Sequence, residues 1–177
     1  MTEHLPAGDF GDWLAELAAA LRGEGETNVA CGSCVGCCSS SQFILVEADE
    51  VDALAHIPPR LLFPAPRMST GNVLMGYDEQ GRCPMLGDQG CTIYEHRPRT
   101  CRTYDCRVFP AADVFPDEPE KALVAARAHQ WQFSYATESD RALHEAVRAA
   151  AADVRSTESM PATAVAVRAA RSVIDRA

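Results

Sequence analysis

The residues best suited to chemistry in this sequence are cysteines, and they are concentrated in one part of the chain. Eight of the 177 residues are cysteines, and four of these fall in the stretch CGSCVGCCSS at residues 31–40. Two overlapping C-x2-C pairs occur there, and this spacing lets one tight turn direct both sulfurs toward the same metal ion. Small residues fill the gaps and favour such a turn. The stretch therefore predicts the first half of a metal site.

The adjacent pair Cys37 and Cys38 limits how this stretch can bind a metal. Side chains of neighbouring residues in an extended chain point to opposite sides. The pair is therefore expected either to lie between two centres or to provide only one sulfur to each centre. On a helical turn, by contrast, Cys31, Cys34 and Cys38 would share a face, with Cys37 beside them.

The other four cysteines lie farther along the chain and complete a set that matches two four-coordinate sites, or one iron–sulfur cluster plus a second centre. Cys83 precedes a proline, as does the last cysteine of the bacterial ferredoxin motif. One hypothesis therefore gives a cluster to Cys31, Cys34, Cys37 and Cys83. A second ion would then be bound by Cys38, Cys91, Cys101 and Cys106. Soft thiolates suit zinc and iron alike, so the residues leave both metals open.

Charged and aromatic residues accompany the second group of cysteines. Four arginines are expected to offset the negative charge of metal-bound thiolates: Arg97, Arg99, Arg102 and Arg107. His96 could replace a cysteine as a ligand, but a surface position is expected for it because eight thiols suffice. Tyr94 and Tyr104 could carry redox chemistry, and aromatic packing is the preferred interpretation for both.

Overall charge and the absence of targeting signals restrict the class of function. The formal net charge is -9 and the pI is about 5.0, which argues against nucleic acid as a partner. The N-terminus MTEHLPAGDFGDW lacks the features of a signal peptide, and no window approaches the roughly 18 to 20 apolar residues of a membrane helix. We therefore expect a cytoplasmic location, no membrane association, and metal ligation in preference to disulfides.

Three regions are expected to position these residues. Residues 1–28 predict an amphipathic helix that Asp9 caps and Gly23 ends. Its apolar face would consist of Phe10, Trp13, Leu14, Leu17 and Leu21. Residues 29–110 form the predicted metal-binding domain. There the patterns predict a strand at 42–46, a helix at 47–56, a hairpin over 73–86 that turns at 78–81, and a second turn at 87–90.

Residues 111–177 predict a helical extension packed on the same core. A first helix would begin at Asp117, with Val124, Ala128, Trp131 and Tyr135 on one face. A second would follow Thr137 and bury Leu143, Val147, Ala150 and Val154, and a third would start at Pro161. The expected fold class is α+β, with short strands in a small irregular core stapled by metal. A helix would precede this core, and two or three helices would follow it.

Four motifs together carry a resemblance to a known family: CGSCVGCC at 31–38, CPML at 83–86, CTIYEHRP at 91–98 and CRTYDC at 101–106. With them the chain resembles the YkgJ-like cysteine-cluster family, which is described as a zinc- or iron-chelating domain. The same cluster occurs in flagellin lysine methylases. The resemblance spans residues 29–109, implies a metal-ligand role for each of the eight cysteines, and leaves the metal open.

Two functional hypotheses follow from these observations. In the first, the protein chelates zinc or iron through eight thiolates in a structural or metal-handling role that involves an unidentified protein partner. In the second, it is an iron–sulfur protein of electron transfer or protein modification, similar to the cluster region of flagellin lysine methylases. No cysteine–histidine pair and no glycine-rich cofactor motif is singled out, so catalysis is left open.

Overall fold

The computed structural model describes residues 4–27 and 29–176, so residues 1–3 and 28 of the predicted N-terminal region and residue 177 of the tail lie outside it. The described residues form seven α-helices and seven short strands in three small sheets. The chain is therefore an α+β protein, as expected. None of the described helices is both long and apolar enough to cross a membrane.

The N-terminal segment begins with a strand and continues directly into the predicted helix. Strand β1 covers Leu5–Asp9 and helix α1 covers Phe10–Leu21. The predicted cap is confirmed, because Asp9 Oδ1 accepts a hydrogen bond from Gly11 N at 3.0 Å. Gly23 follows the helix with a φ of 75°, a conformation that glycine adopts without strain. The strand that precedes the helix was not predicted.

The cysteine region is built from short elements joined by turns. Three of these elements carry cysteines: the 3-10 turn at Cys37–Ser39, the strand at Gly90–Cys91 and the helix at Arg99–Thr103. In chain order the region contains a 3-10 turn at Cys37–Ser39, β2 Ile44–Val46, α2 Val51–His56, β3 Leu62–Pro64, β4 Val73–Met75, β5 Leu86–Gly87, β6 Gly90–Cys91, a 3-10 turn at Tyr94–His96, α3 Arg99–Thr103 and α4 Val108–Ala112.

The predicted hairpin over residues 73–86 is wrong, although its turn exists. Asp78 Oδ1 accepts hydrogen bonds from Gln80 N at 2.9 Å and Arg82 N at 2.8 Å, which closes the turn. The chain that leaves the turn cannot pair with β4, because β2 and β3 already occupy both edges of that strand. Instead β5 pairs with β6 across the turn predicted at 87–90.

The tail contains three helices and one strand. Helix α5 covers Ala122–Ala128, strand β7 Trp131–Ser134, helix α6 Glu138–Thr157 and helix α7 Ala162–Ile174. The first predicted helix is wrong beyond the end of α5. The residues that were expected to continue it form β7, which pairs in parallel with β1. The helix also begins later than Asp117, after a 3-10 turn at Pro119–Lys121.

The start of α6 follows the prediction. Asp140 N donates to Thr137 Oγ1 at 3.2 Å, and Thr137 N donates to Asp140 Oδ2 at 2.7 Å, which forms a reciprocal capping box. Of the residues expected on its apolar face, Val147 is buried, whereas Leu143, Ala150 and Val154 are partly buried. The helix from Pro161 is confirmed as α7.

Two hydrophobic clusters organise the described chain. The larger one joins α1 with α4, α6 and α7 and contains Phe10, Trp13, Phe109 and Val147. The smaller one gathers apolar residues of the three-stranded sheet and its neighbours: Ile44, Val46, Ala53, Ile57, Met75, Met85 and Ile93. Cysteines contact both clusters, since Cys106 belongs to the larger one while Cys83, Cys91 and Cys101 pack on the smaller one.

His144 of α6 supplies a pH-dependent contribution to the larger cluster. It is buried, stacks on Phe10 with ring centroids 4.2 Å apart, and shares a 2.7 Å hydrogen bond with the Tyr135 hydroxyl. Burial lowers the pKa of His144, because the charged imidazolium loses its hydration. The unfolded chain therefore binds this proton more readily than the folded protein.

We expect the free energy of unfolding to fall as the pH drops below the ordinary histidine pKa of about 6.5. A His144→Gln variant should show a smaller loss between pH 7 and pH 5, measured by urea unfolding at both values. His129→Gln, which changes a histidine of α5's C-terminal end stacked on Phe115, is the control and should keep the wild-type pH dependence. Equal pH dependence in wild type and His144→Gln would contradict the expectation.

Candidate metal centre

All eight cysteines line a single cavity of about 560 Å³. The cavity lies between the two hydrophobic clusters, because Val124 of the larger cluster and Met75 of the smaller one both contribute to its wall. All eight are free thiols. Cys37 is exposed, Cys106 is buried, and the other six are half-buried. The fold thus brings together every cysteine that the sequence singled out.

The loop at residues 31–38 presents its thiols through a tight turn. Cys34 N donates to Cys31 O at 2.9 Å, and Gly36 N donates to Cys34 Sγ at 3.5 Å. Gly36 is required by a close approach, since a Cβ at this position would lie 3.2 Å from backbone atoms of Leu123 and Val124. The small residues of the motif therefore allow both the turn and the packing of this loop against α5.

The adjacent cysteines adopt a 3-10 turn and act on each other. A hydrogen bond between the two thiols lowers the pKa of Cys37 to about 7, and the same bond raises the pKa of Cys38. Cys83 N donates to Cys38 O at 2.7 Å, so the backbone joins the first group of cysteines to the second. The pair therefore lies at the junction of the two halves of the site.

The cysteines of the second half are held by different elements. Cys91 lies in β6 and Cys101 in α3, whereas Cys106 follows α3 and accepts a hydrogen bond from Trp131 Nε1 at 3.1 Å. Burial raises the pKa of Cys101 to about 12 and that of Cys106 to about 12, and neighbouring cysteines contribute to both shifts. Without a cation these side chains stay neutral, and a metal is what would stabilise them as thiolates.

Three arginines line the cavity, and of these Arg82 is paired with Asp78, whereas Arg97 and Arg127 bring positive charge to the thiols. Arg97 lines it, partly offsets the rise in the pKa of Cys31 and Cys101, and contributes to the lowered pKa of Cys37. Arg127 of α5 also lines it, and its Nη2 donates to Ala30 O at 3.0 Å and Cys31 O at 2.9 Å. Arg127 lies far from the cysteines in sequence, so no local spacing pointed to it.

The other three arginines of the predicted group pair with carboxylates instead. Arg99 contacts Glu47 and Asp49, and Arg102 Nε lies 2.9 Å from Glu26 Oε1. Arg107 is buried and pairs with Asp105, at 2.8 Å between Nη2 and Oδ2. None of these three arginines lines the cavity, so the expectation that they surround the metal is wrong. Arg99 and Arg102 are drawn away by acidic residues distant in the chain, and Arg107 by its near neighbour Asp105.

Two buried hydrogen-bond donors at the cavity have no partner among the described residues. They are the Tyr104 hydroxyl and Arg127 Nε, and both residues belong to the cavity wall. Buried donors in proteins are normally paired. A metal–sulfur group, which is rich in electron pairs, would supply the missing acceptors. These donors and the thiol set both fit such a group.

The spacing of the sulfurs can be compared with that of a closed four-thiolate zinc site. Four sulfurs on one zinc ion would be about 3.8 Å apart, given a tetrahedron with Zn–S bonds of about 2.3 Å. Over the part of the chain that the structure describes, no three cysteine sulfurs lie within 4.8 Å of one another. The cavity is thus wider than the site of one closely held ion.

The remaining aromatic and histidine residues differ in their relation to the cavity. His96 does not line it and instead contacts Asp52, in agreement with the expected surface position. Tyr94 lines the wall with its ring beneath the Arg97 guanidinium, 3.6 Å from the ring centroid. Tyr104 is more than a packing residue, because its hydroxyl is buried at the wall without a partner.

Comparison with protein families matches the region that forms this cavity. Residues 30–129 match the CxxCxxCC family, whose model is described as a "putative zinc- or iron-chelating domain". The chain belongs to the CxxCxxCC family. No curated protein and no solved structure matched it. The CxxCxxCC match runs past the last cysteine to residue 129, and so includes Val124 and Arg127 of the cavity wall.

A buried ion pair beside Cys106 supports the second half of this CxxCxxCC site. Asp105 Oδ2 accepts a hydrogen bond from Trp13 Nε1 at 3.0 Å and pairs with Arg107, which also donates to Ala7 O at 3.1 Å. The network links α1 and β1 to the chain on either side of Cys106. It therefore holds Cys106 in place through contacts with the larger cluster.

Replacing Asp105 by alanine leaves the buried Arg107 guanidinium with Glu16, whose Oε2 lies 3.5 Å from Nη2, as its remaining charged partner. We expect this change to lower the free energy of unfolding by about 3–5 kcal/mol, the usual effect of breaking a buried pair. Guanidinium unfolding followed by circular dichroism measures the difference. Asp153→Ala, at an exposed position of α6, is the matched control and should change stability little. A loss below about 1 kcal/mol in Asp105→Ala would show that the network is not structural.

Proposed function

We propose that the protein is an iron–sulfur protein whose eight thiols hold two adjacent metal centres, at least one of them an iron–sulfur cluster. The observation that carries the proposal is the arrangement of all eight cysteines around one cavity of about 560 Å³. Membership of a zinc- or iron-chelating family supports metal binding in general. The kind of centre is argued from the site itself.

The distance between the sulfurs favours a cluster over single ions. No three cysteine sulfurs within the described residues come inside 4.8 Å, whereas a single tetrahedral ion needs about 3.8 Å between them. An iron–sulfur cluster places several iron ions and bridging sulfides between its cysteines, so its ligand sulfurs are farther apart. The size of the cavity and its unpaired donors are compatible with such a group.

The effects of the thiols on one another's pKa suggest which cysteines share a centre. Cys31 and Cys34 raise the pKa of Cys106. Cys83 and Cys91 raise the pKa of Cys38 and of Cys101. Cys37 acts on both groups, because it raises the pKa of Cys31 as well as that of Cys38, Cys83 and Cys101. We therefore assign one centre to Cys31, Cys34, Cys37 and Cys106. The other centre is assigned to Cys38, Cys83, Cys91 and Cys101.

This division differs from the ferredoxin-like hypothesis, which placed Cys83 with the first loop. Cys106 replaces Cys83 in the centre of the first loop. Cys106 belongs to the larger hydrophobic cluster, whereas Cys83 packs on the smaller one with Cys91 and Cys101. The adjacent pair then contributes one sulfur to each centre. Such a position between two centres resolves the geometric difficulty of two neighbouring ligands.

The bound cluster would supply one-electron redox chemistry, with a potential set by its charge and by hydrogen bonds to sulfur. The chain contributes the groups that set these quantities. Arg97 and Arg127 bring positive charge, and Trp131 Nε1 already donates to Cys106 Sγ. These contacts support an electron-carrying role with a protein partner. Free thiols fit a reducing compartment such as the cytoplasm, and the net charge of -9 disfavours nucleic acid as the partner.

Zinc in a structural or metal-handling role is the second candidate. The thiol count supports it, because eight cysteines can complete two closed sites of four. Binding zinc in this manner would require the thiols to close around each ion more tightly than they do here. The two candidates differ in colour, since zinc is redox-inert and iron–sulfur clusters absorb visible light.

Metal analysis of protein purified without oxygen tests the proposal, together with serine variants of one cysteine from each centre. We expect brown protein with iron and acid-labile sulfide. Cys106→Ser and Cys101→Ser should each lose the metal of one centre and keep part of the total. Ser33→Ala, in the same loop, is the control and should keep full metal content. Colourless protein that contains only zinc would overturn the iron–sulfur proposal.

Trp131 fluorescence assigns the loss to a centre, because its indole N–H contacts Cys106 Sγ. The Cys101→Ser variant keeps the centre that contains Cys106, so metal binding should change its Trp131 fluorescence. The Cys106→Ser variant lacks this centre, so the change should be absent. Trp13, the second of the two tryptophans, is unchanged in both serine variants, so the difference between the variants reports on Trp131. Identical responses in the two serine variants would contradict the proposed division.

Tyr104→Phe tests whether the unpaired hydroxyl serves the bound group. In metal-free protein the change removes a buried donor without a partner, so stability should rise by up to about 1–3 kcal/mol. In loaded protein the metal content should stay the same, and the reduction potential should become more negative because a hydrogen bond to sulfur is lost. Tyr94→Phe, whose ring stays beneath Arg97, is the control. An unchanged potential in Tyr104→Phe would exclude this contact.

A further inference from the structure

A second group of metal-binding side chains lies outside the thiol cavity. Asp52 and His56 belong to α2, and His96 belongs to the 3-10 turn at Tyr94–His96. One potential ligand atom from each residue lies within 4.8 Å of the others. Within residues 4–27 and 29–176, no other group of three potential ligands meets this distance. None of the three residues lines the thiol cavity. The group is therefore spatially distinct from the cysteine site.

Asp52 contacts both imidazole rings through their Nδ1 atoms. His96 Nδ1 lies 2.9 Å from Asp52 Oδ2, and His56 Nδ1 lies 2.8 Å from the Asp52 carbonyl oxygen. Both contacts are hydrogen bonds to oxygen acceptors, so each Nδ1 carries the proton and each Nε2 keeps its lone pair. Metal-binding histidines in proteins show this arrangement, in which the second ring nitrogen donates to a carboxylate or a carbonyl.

The two rings are held side by side. Their centroids are 3.5 Å apart and their planes differ by 5°, so one ion binds both imidazoles once the rings tilt toward it from this parallel stack. The backbone on either side is anchored in the smaller hydrophobic cluster by Ile57, which follows His56, and by Ile93. Packing therefore keeps together the two segments that carry His56 and His96, while the imidazole rings stay accessible to solvent.

We propose that His56 and His96, oriented by Asp52, form a surface binding site for a divalent transition-metal ion. Imidazole nitrogen is a ligand that Zn²⁺, Ni²⁺ and Cu²⁺ prefer, whereas Mg²⁺ and Ca²⁺ prefer oxygen. Water would complete the coordination shell, since the site faces solvent. The carboxylate of Asp52 offsets the charge of the bound ion. This site is independent of the thiol centres and does not rest on the proposed iron–sulfur function.

Calorimetric titration with Ni²⁺ tests the site on the full chain, purified without oxygen and with its thiol centres loaded. Wild type should bind one Ni²⁺ ion more than either His56→Gln or His96→Gln. Asp52→Asn should keep the site but weaken it about tenfold, the usual result of removing a group that orients a ligand. His129→Gln is the matched control and should bind Ni²⁺ like wild type. Equal binding by wild type and both glutamine variants would overturn the proposal.

Histidine NMR of the wild-type protein gives a second measurement that does not depend on variants. On addition of Zn²⁺, the Nε2 resonances of His56 and His96 should shift together, while those of His129 and His144 stay in place. His144 is a useful internal reference because it is buried in the larger cluster. Zinc binding that leaves the His56 and His96 resonances unchanged would place the ion elsewhere and refute the site.

Discussion

Thiols gathered around one cavity resist ionisation, and the rest of the structure is arranged around this constraint. Burial and the neighbouring cysteines raise the pKa of Cys31, Cys83, Cys101 and Cys106, so the set is stable as thiols and unfavourable as bare thiolates. A metal centre reverses this balance, because it binds the ionised form and neutralises its charge. Folding and metal binding are therefore expected to stabilise each other.

The cavity lies between two hydrophobic clusters that each hold part of the ligand set. Cys106 is packed into the larger cluster through its neighbours Asp105 and Arg107, which connect it to α1 and β1. Cys83, Cys91 and Cys101 pack on the smaller cluster. Movement of one cluster relative to the other would separate the two groups of thiols. A centre bound between them would thus connect the halves of the chain.

The tail completes the site as well as covering it. Helix α5 supplies Arg127, whose guanidinium holds the backbone of Ala30 and Cys31, and its close approach to Gly36 seats the first loop. Trp131 follows in β7 and donates to Cys106. The contacts of Arg127 and Gly36 lie within the match to the CxxCxxCC family, which continues to residue 129, beyond the last cysteine. Residues without ligand chemistry of their own shape and charge the cavity.

The sequence alone determined the features that depend on near neighbours. Cysteine spacing indicated the candidate ligand set. Short-range patterns predicted the cap at Asp9, the start of a helix after Thr137, and the helices α1, α6 and α7, because caps and helical faces involve residues only a few positions apart. Tertiary structure decided the rest. The pairing of β1 with β7, the contact of Arg127 with Cys31 and the stacking of His56 on His96 join residues that are distant in the chain. Such contacts depend on how the two clusters pack, and no local spacing encodes that packing.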